Sequence, residues 1–171
     1  EVTRRKWKAC ANAGICEDLT GAITSTEPDM PMTGVNRFDV EAYIGWVNAQ
    51  GQREYRLPTA KEWNAIAATL PRTSVKKLFD DPRMAWAADY GSMPALSGVI
   101  RPSGSFGTLS NGISDLGGNV WEWVDTGAGD ERITRGSSWW YDANRQLEQD
   151  VATKPKDTRV GYIGFRCVAG D

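Results

Sequence analysis

The sequence contains no histidine. Histidine is the side chain whose ordinary pKa lies closest to neutral pH, and it is a common ligand of zinc and iron in proteins. Its absence excludes Ser-His-Asp and Cys-His catalysis and general acid–base catalysis by an imidazole. It also excludes metal centres that need imidazole ligands.

Long hydrophobic runs and an excess of charge of either sign are also lacking. No apolar segment approaches the roughly 18 residues that a membrane-spanning helix needs. The formal net charge is −2, with 20 basic and 22 acidic residues mixed along the chain. We therefore expect neither membrane insertion nor nucleic-acid binding.

What the chain does contain is typical of one globular domain. Its 171 residues are 40 % hydrophobic and 25 % charged, which is enough for a substantial core. The eight tryptophans predict that this core is rich in aromatic side chains. Since no repeat or linker divides the chain, we expect a single domain over residues 1–171.

The three cysteines are Cys10, Cys16 and Cys167. The spacing of the first two allows a small disulfide loop if the chain turns back at Gly14. An exported protein would oxidise this pair, whereas a cytosolic protein would keep two thiols. We expect the Cys10–Cys16 disulfide and, with it, export to the periplasm or the extracellular space. Cys167 is interpreted as a small buried hydrophobic residue.

Periodicity predicts three helices in the first half of the chain. The segments 2–13 and 39–50 each carry an apolar stripe at helical spacing. A third helix begins near Thr59, where Thr59 and Glu62 form a capping box, and Pro71 ends it.

The second half predicts a sheet. Residues 71–112 form a long loop, and strand-like pieces follow at 120–124, 132–136 and 161–168. Residues 154–157 are expected to form an exposed turn. The fold class is therefore α+β, with a small antiparallel sheet late in the chain.

Four motifs occur in a fixed order: Arg-Leu-Pro-Thr at 56–59 with Glu-Trp at 62–63, Gly-Asn-Val-Trp-Glu-Trp at 118–123, Arg-Gly-Ser-Ser-Trp at 135–139, and Gly-Phe-Arg-Cys at 164–167. Together they resemble the formylglycine-generating-enzyme (sulfatase-modifying-factor) family over the whole chain. The resemblance implies a variant of the C-type-lectin fold, with few helices, small antiparallel sheets and much irregular loop. The Glu-Val-Thr segment at residues 1–3 also matches the family, but enzymes of the family begin well before it. We therefore expect this domain to lack its N-terminal edge.

One departure from the family concerns its catalytic cysteines. The copper-dependent oxidases of the family carry two cysteines just after a Gly-Gly-Ser motif of their own. In this chain the positions that match those two cysteines are Gln146 and Val151. Neither offers the soft thiolate that Cu(I) prefers. We expect no copper and no formylglycine-generating activity. A further family cysteine corresponds to Ile44, so Cys167 is expected to lack its usual partner.

The resemblance also implies a structural calcium ion. Its ligands would be the side chains of Asp115 and Glu122 and the carbonyls of Gly118 and Val120. Two carboxylates flanking a flexible Gly-Gly turn are consistent with a hard cation. The alternative is a plain glycine turn with two solvated acids.

The segment 139–150 is the predicted contact surface. It mixes aromatic anchors with adaptable polar groups, as binding surfaces do. In the family, the positions of Trp121 and Ser138 line the floor of the active site. The predicted ligand- or partner-binding residues are Trp121, Ser138, Trp139, Trp140, Tyr141, Asp142, Asn144 and Arg145. The alternatives are that both tryptophans at 139–140 belong to the core and that Ser138 satisfies local backbone.

Three functions remain open. The first is a non-catalytic module that binds a ligand or a protein, since receptor-binding variable proteins of phages and bacteria use the same fold subgroup. The second is a divergent periplasmic oxidase of the kind that takes part in pyoverdine maturation. The third is an accessory or sensor domain of a larger protein.

Overall fold

The computed structural model describes residues 1–19, 27–51, 53–69, 100–116, 118–127, 131–136 and 152–170. In these ranges the chain forms helices α1 (Arg4–Asn12), α2 (Arg37–Gln50) and α3 (Ala60–Ala67). It also forms strands β1 (Tyr55–Arg56), β2 (Trp121–Trp123), β3 (Glu131–Arg135), β4 (Ala152–Pro155), β5 (Ile163–Phe165) and β6 (Val168–Ala169). The predicted α+β class is confirmed. A helix long and apolar enough to cross a membrane is not found in the described ranges.

The first two helices differ from prediction at their ends. α1 begins two residues late because Thr3 is extended and forms a bridge with Pro31. α2 begins early because Asn36 caps it. The Asn36 side chain accepts a hydrogen bond from the Asp39 amide, and the Asp39 carboxylate accepts one from the Asn36 amide. A capping box therefore sets this boundary, two residues before the apolar stripe.

The predicted capping box of α3 is confirmed. The Thr59 hydroxyl accepts from the Glu62 amide at 3.1 Å, and the Glu62 carboxylate accepts from the Thr59 amide at 2.8 Å. Arg56 donates to both carboxylate oxygens of Glu62 at 2.7 Å. These hydrogen bonds, those from Arg56 foremost, lower the pKa of Glu62 to about 2. The helix buries Trp63 and Ala67.

The main sheet has the order β4-β3-β2-β5. The strands predicted at 120–124 and 132–136 are β2 and β3, and the segment predicted at 161–168 contains β5 and the start of β6. The expectation of an antiparallel sheet needs a correction, because β2 and β5 are parallel while β2–β3 and β3–β4 are antiparallel. β1 pairs with β6 in a separate two-stranded sheet.

One predicted turn is also corrected. Lys154 and Pro155 belong to β4, and only Lys156 and Asp157 form a turn. β4 is an edge strand in the order of the sheet, and an edge is where a strand tolerates a proline that has no N–H to donate.

The core is aromatic, as predicted. Trp7 stacks on Tyr43 with ring centroids 5.7 Å apart, and Phe165 meets the Tyr43 ring edge-on at 5.4 Å. Trp123 is fully buried and donates its indole N–H to the Val35 carbonyl at 2.9 Å. These residues form one cluster that packs α1 and α2 against β2 and β5.

The predicted disulfide between Cys10 and Cys16 is confirmed, and both cysteines are buried in this cluster. Cys167 is a free, partly buried thiol that packs against the same cluster. Burial raises the pKa of the Cys167 thiol to about 11.

Candidate functional site

A buried ion pair lies where β2 and β5 run side by side. Arg166, which directly follows β5, donates from Nε to Glu122 Oε2 at 2.5 Å and from Nη2 to Oε1 at 2.6 Å. Trp63 donates its indole N–H to the same Glu122 carboxylate at 3.3 Å. Burial acts to lower the pKa of Arg166, but Glu122 outweighs it and the net shift is upward. Arg166 is therefore paired with a buried carboxylate.

Asp115 precedes β2 and has a left-handed backbone conformation with φ of 56°. Its buried carboxylate accepts the amide N–H of Phe106 at 2.7 Å through Oδ1 and the amide N–H of Gly104 through Oδ2. Aspartate tolerates this conformation better than most residues because its short side chain pairs locally with the backbone. Asp115 therefore holds the loop at 104–106 against the start of β2.

Asn119 holds an earlier part of the same loop, at residue 101, in a similar way. It is also left-handed, with φ of 69°, and fully buried. Its side chain accepts from the Arg101 amide and donates to the Arg101 carbonyl, both at 3.0 Å. It donates as well to Glu1 Oε2 at 3.1 Å. Two left-handed polar residues thus fix the path of residues 101–106.

Glu1 is the site residue that the sequence did not reveal. Its Oε2 accepts from Ser103 Oγ at 2.7 Å as well as from Asn119, and its Oε1 is buried without a hydrogen-bond partner in the described part of the chain. Burial, and then the nearby charges of Glu122 and Asp115, raise the pKa of Glu1 to about 8. The only available signal was its place in the Glu-Val-Thr segment of the family resemblance, which says nothing about burial.

The predicted calcium ligands lie in one short segment, but donors of the chain already engage Asp115, Glu122 and the Gly118 carbonyl. Asp115 accepts two backbone amides, Glu122 accepts Arg166, and the Gly118 carbonyl accepts the Val120 amide at 2.9 Å. Calcium needs six to eight oxygens turned toward one point, so this arrangement fits it poorly. Among the described residues no group of three or more His, Cys, Asp or Glu is placed to hold a metal. Calcium binding stays a prediction; a melting temperature that neither calcium nor EDTA moves would remove it.

Most of the predicted contact surface lies outside the described residues. This applies to Ser138, Trp139, Trp140, Tyr141, Asp142, Asn144 and Arg145, and also to Gln146 and Val151. Trp121 is described: it is partly buried in β2, packs against the main core, and its amide donates to the Tyr162 carbonyl at 2.9 Å. Of the predicted loop at 71–112, residues 71–99 lie outside the described ranges.

The early helices and the mixed sheet form an α+β domain with the Glu122–Arg166 pair buried inside it. The sequence profile of the Sulfatase-modifying factor enzyme 1-like domain family matches residues 1–170, and the chain belongs to this family.

Two relatives illustrate its range. The hercynine oxygenase of Mycolicibacterium thermoresistibile is 29 % identical over 150 residues, which cover 70 % of this chain and 31 % of that protein. The inactive C-alpha-formylglycine-generating enzyme 2 of Bos taurus is 28 % identical over 99 % of this chain and 58 % of its own length. The chain therefore spans between about a third and just over half of these relatives.

Solved structures agree on the fold. PvdO from Pseudomonas aeruginosa superposes with a TM-score of 0.74 at 20 % identity, covering 99 % of this chain and 77 % of its own. The Treponema denticola variable protein 1 superposes with a TM-score of 0.66 at 19 % identity, covering 98 % and 81 %. At this identity the likeness shows the fold alone.

Proposed function

We propose that this domain is a non-catalytic binding module of its family and that it contacts a ligand or a protein through residues 139–150. The observation that carries the proposal is the state of the cysteines. The sequence has three, of which Cys10 and Cys16 form the disulfide and Cys167 is partly buried with a raised pKa. The chain therefore has no pair of free thiols with which to hold Cu(I).

Two comparisons support this proposal. The bovine relative is named as an inactive formylglycine-generating enzyme, so the family includes members without that activity. The treponemal structure, named as a variable protein, has the same fold. The disulfide supports export to the periplasm or the extracellular space, because such bonds persist in oxidising compartments.

Two other functions keep specific support. The family resemblance supports a divergent periplasmic oxidase that does not use the copper–cysteine mechanism, and PvdO shares the fold of this chain. The small share of the hercynine oxygenases that the chain covers, 31 %, favours an accessory or sensor domain of a larger protein.

Cuprous-ion binding tests the basis of the proposal. We expect the chain, titrated anaerobically against a chromophoric Cu(I) chelator, to take up no tightly bound copper. The double variant Gln146→Cys with Val151→Cys should gain tight binding, because it restores two thiolates at the positions that match the family's cysteines. Tight stoichiometric binding by the unaltered chain, or conversion of a sulfatase-type cysteine peptide to its aldehyde, would contradict the proposal.

Thermal melting of Trp140→Ala tests the contact surface itself. A tryptophan exposed for binding can be removed at little cost, so the melting temperature should change by no more than about 2 °C. A tryptophan in the core would instead cost about 3–5 kcal/mol. Trp7→Ala, which empties a fully buried position, is the control for that larger loss. Equal losses in the two variants would show that Trp140 belongs to the core.

A further inference from the structure

Arg135, the last residue of β3, carries a charge that no described residue of the chain compensates. Its Nε is buried and has no hydrogen-bond partner in the described ranges, and the side chain forms no salt bridge with a described carboxylate. Burial lowers the pKa of Arg135. A guanidinium nevertheless stays protonated in proteins, so β3 ends on a partly desolvated positive charge.

The two most buried arginines of the described ranges are arranged differently. Arg37 donates from Nε to Glu41 at 2.8 Å, and Arg166 donates from Nε to Glu122 at 2.5 Å. Each therefore has a carboxylate beside the nitrogen that is hardest for water to reach. Removing a charge from water costs free energy unless an opposite charge accompanies it. Arg135 has this cost without the compensation that Arg37 and Arg166 receive.

The acidic residue opposite Arg135 in the sheet is already engaged. Arg135 pairs in register with Glu122 of β2, and residues directly opposite each other in antiparallel strands share a face of the sheet. The Glu122 carboxylate accepts two hydrogen bonds from Arg166 and one from Trp63. Because the Glu122–Arg166 pair is neutral as a whole, it leaves the charge of Arg135 uncompensated.

The backbone around Arg135 is held in place on both sides. Thr134 is fully buried before it, and Gly136 follows it with φ of 93°. A Cβ built at Gly136 would lie 3.5 Å from the Trp63 ring and from the Val120 carbonyl oxygen, so this backbone is closely packed. Arg135 itself is only partly buried. A rigid strand end therefore presents a guanidinium that a ligand can reach from solvent.

We propose that Arg135 binds a carboxylate group of a ligand, either a small carboxylic acid or an acidic side chain of a protein partner. The two terminal nitrogens, Nη1 and Nη2, would donate parallel hydrogen bonds to the two carboxylate oxygens. Partial burial strengthens this attraction, because less water screens the charge. The inference goes beyond the proposed function and does not depend on residues 139–150, so failure of the copper or the Trp140 test leaves it standing.

Nuclear magnetic resonance of the Arg135 Nε–H group and of the neighbouring backbone amides tests this site on the whole chain. At constant ionic strength, acetate should shift these signals to saturation, whereas its neutral analogue acetamide and chloride should not. A blocked Gly-Asp-Gly peptide separates the two sources: a saturable shift by the peptide as well as by acetate indicates a protein side chain, and a shift by acetate alone indicates a small acid. No saturable shift with acetate, or an equal shift with acetamide, would overturn the proposal.

Two variants separate binding from folding. Arg135→Lys keeps the charge but loses the paired N–H groups, so acetate binding should weaken about fivefold. Arg135→Met should lose acetate binding and yet unfold at the same urea concentration as the unaltered chain or at a higher one, because it breaks no ion pair. Arg53→Met, at an exposed position, is the control and should keep acetate binding. An Arg135→Met variant that unfolds earlier or does not fold would show that the chain itself supplies the partner of Arg135, and the proposal would then be wrong.

Discussion

Replacement of Arg166 by methionine should lower the free energy of unfolding by about 3–5 kcal/mol, because it leaves a buried carboxylate without its cation. Glu122 exposes only 2 % of its side chain and would keep a single weak donor, the Trp63 indole at 3.3 Å. Many domains have a total stability of only about 5–15 kcal/mol, so this variant should unfold at much lower temperature and urea concentration. Circular dichroism during urea and thermal denaturation measures the loss.

The chain supplies a matched control for this variant. Arg56 also makes a two-point contact with a glutamate, Glu62, but those side chains are 42 % and 40 % exposed. Arg56→Met should therefore destabilise the domain far less than Arg166→Met, because solvent screens this exposed pair. A second variant, Arg166→Met with Glu122→Gln, should recover part of the loss by removing the stranded charge. Equal losses for the Arg166 and Arg56 variants would show that burial of the pair does not govern its contribution.

Local sequence signals predicted the helices. The capping box at Thr59 and Glu62 and the stripe beginning at Trp63 act within one or two helical turns, so they can be read without knowledge of the fold. The start of α2 was placed late because the prediction followed the stripe and did not use the equivalent cap at Asn36. Its Asn–Asp pair is a less common form of the same signal.

The short strands could not be predicted in this way. β1 and β6 have two residues each, too few to show an alternating pattern, and each exists because it pairs with the other across more than a hundred residues. β4 carries Lys154 and Pro155, which locally favour a turn, and its pairing with β3 overrides that preference. The parallel pairing of β2 with β5 is likewise a property of the topology.

In the candidate site, too, local features could be predicted from the sequence and long-range contacts could not. The sequence shows Arg166 within the Gly-Phe-Arg-Cys motif at 164–167. It could not name Glu122, which lies 44 residues away. Nor could it predict the contact between Glu1 and Asn119, which are separated by 118 residues. The two backbone amides that the Asp115 carboxylate accepts were likewise beyond prediction from the sequence.

The function depends on residues more than on the fold. The same scaffold occurs in a hercynine oxygenase, in an inactive relative and in a variable protein, so the fold alone does not select among them. This chain contains neither histidine nor a free thiol pair. That is why the proposed function rests on Cys10, Cys16 and Cys167.

Gly164→Ala should also destabilise the domain strongly, by about 3 kcal/mol, although it changes no charge and adds one methyl group. A Cβ built at Gly164 would lie 2.7 Å from the Met32 carbonyl oxygen and 3.3 Å from Val120. The nearer atom belongs to the backbone, so no side chain can rotate away to relieve the contact. β5 would have to move away from residue 32. This residue lies next to residue 34, whose amide donates a hydrogen bond to β5.

Gly161→Ala is the control for this steric argument. Gly161 precedes the same strand, its backbone is not left-handed, and a Cβ there would meet nothing within 4 Å. We expect its unfolding free energy to lie within about 0.5 kcal/mol of the unaltered chain. Because Gly164 lies two residues before Arg166, a shift of β5 should disturb the Glu122–Arg166 pair as well. Urea denaturation that left both variants equally stable would show that the strand yields more easily than the 2.7 Å contact implies.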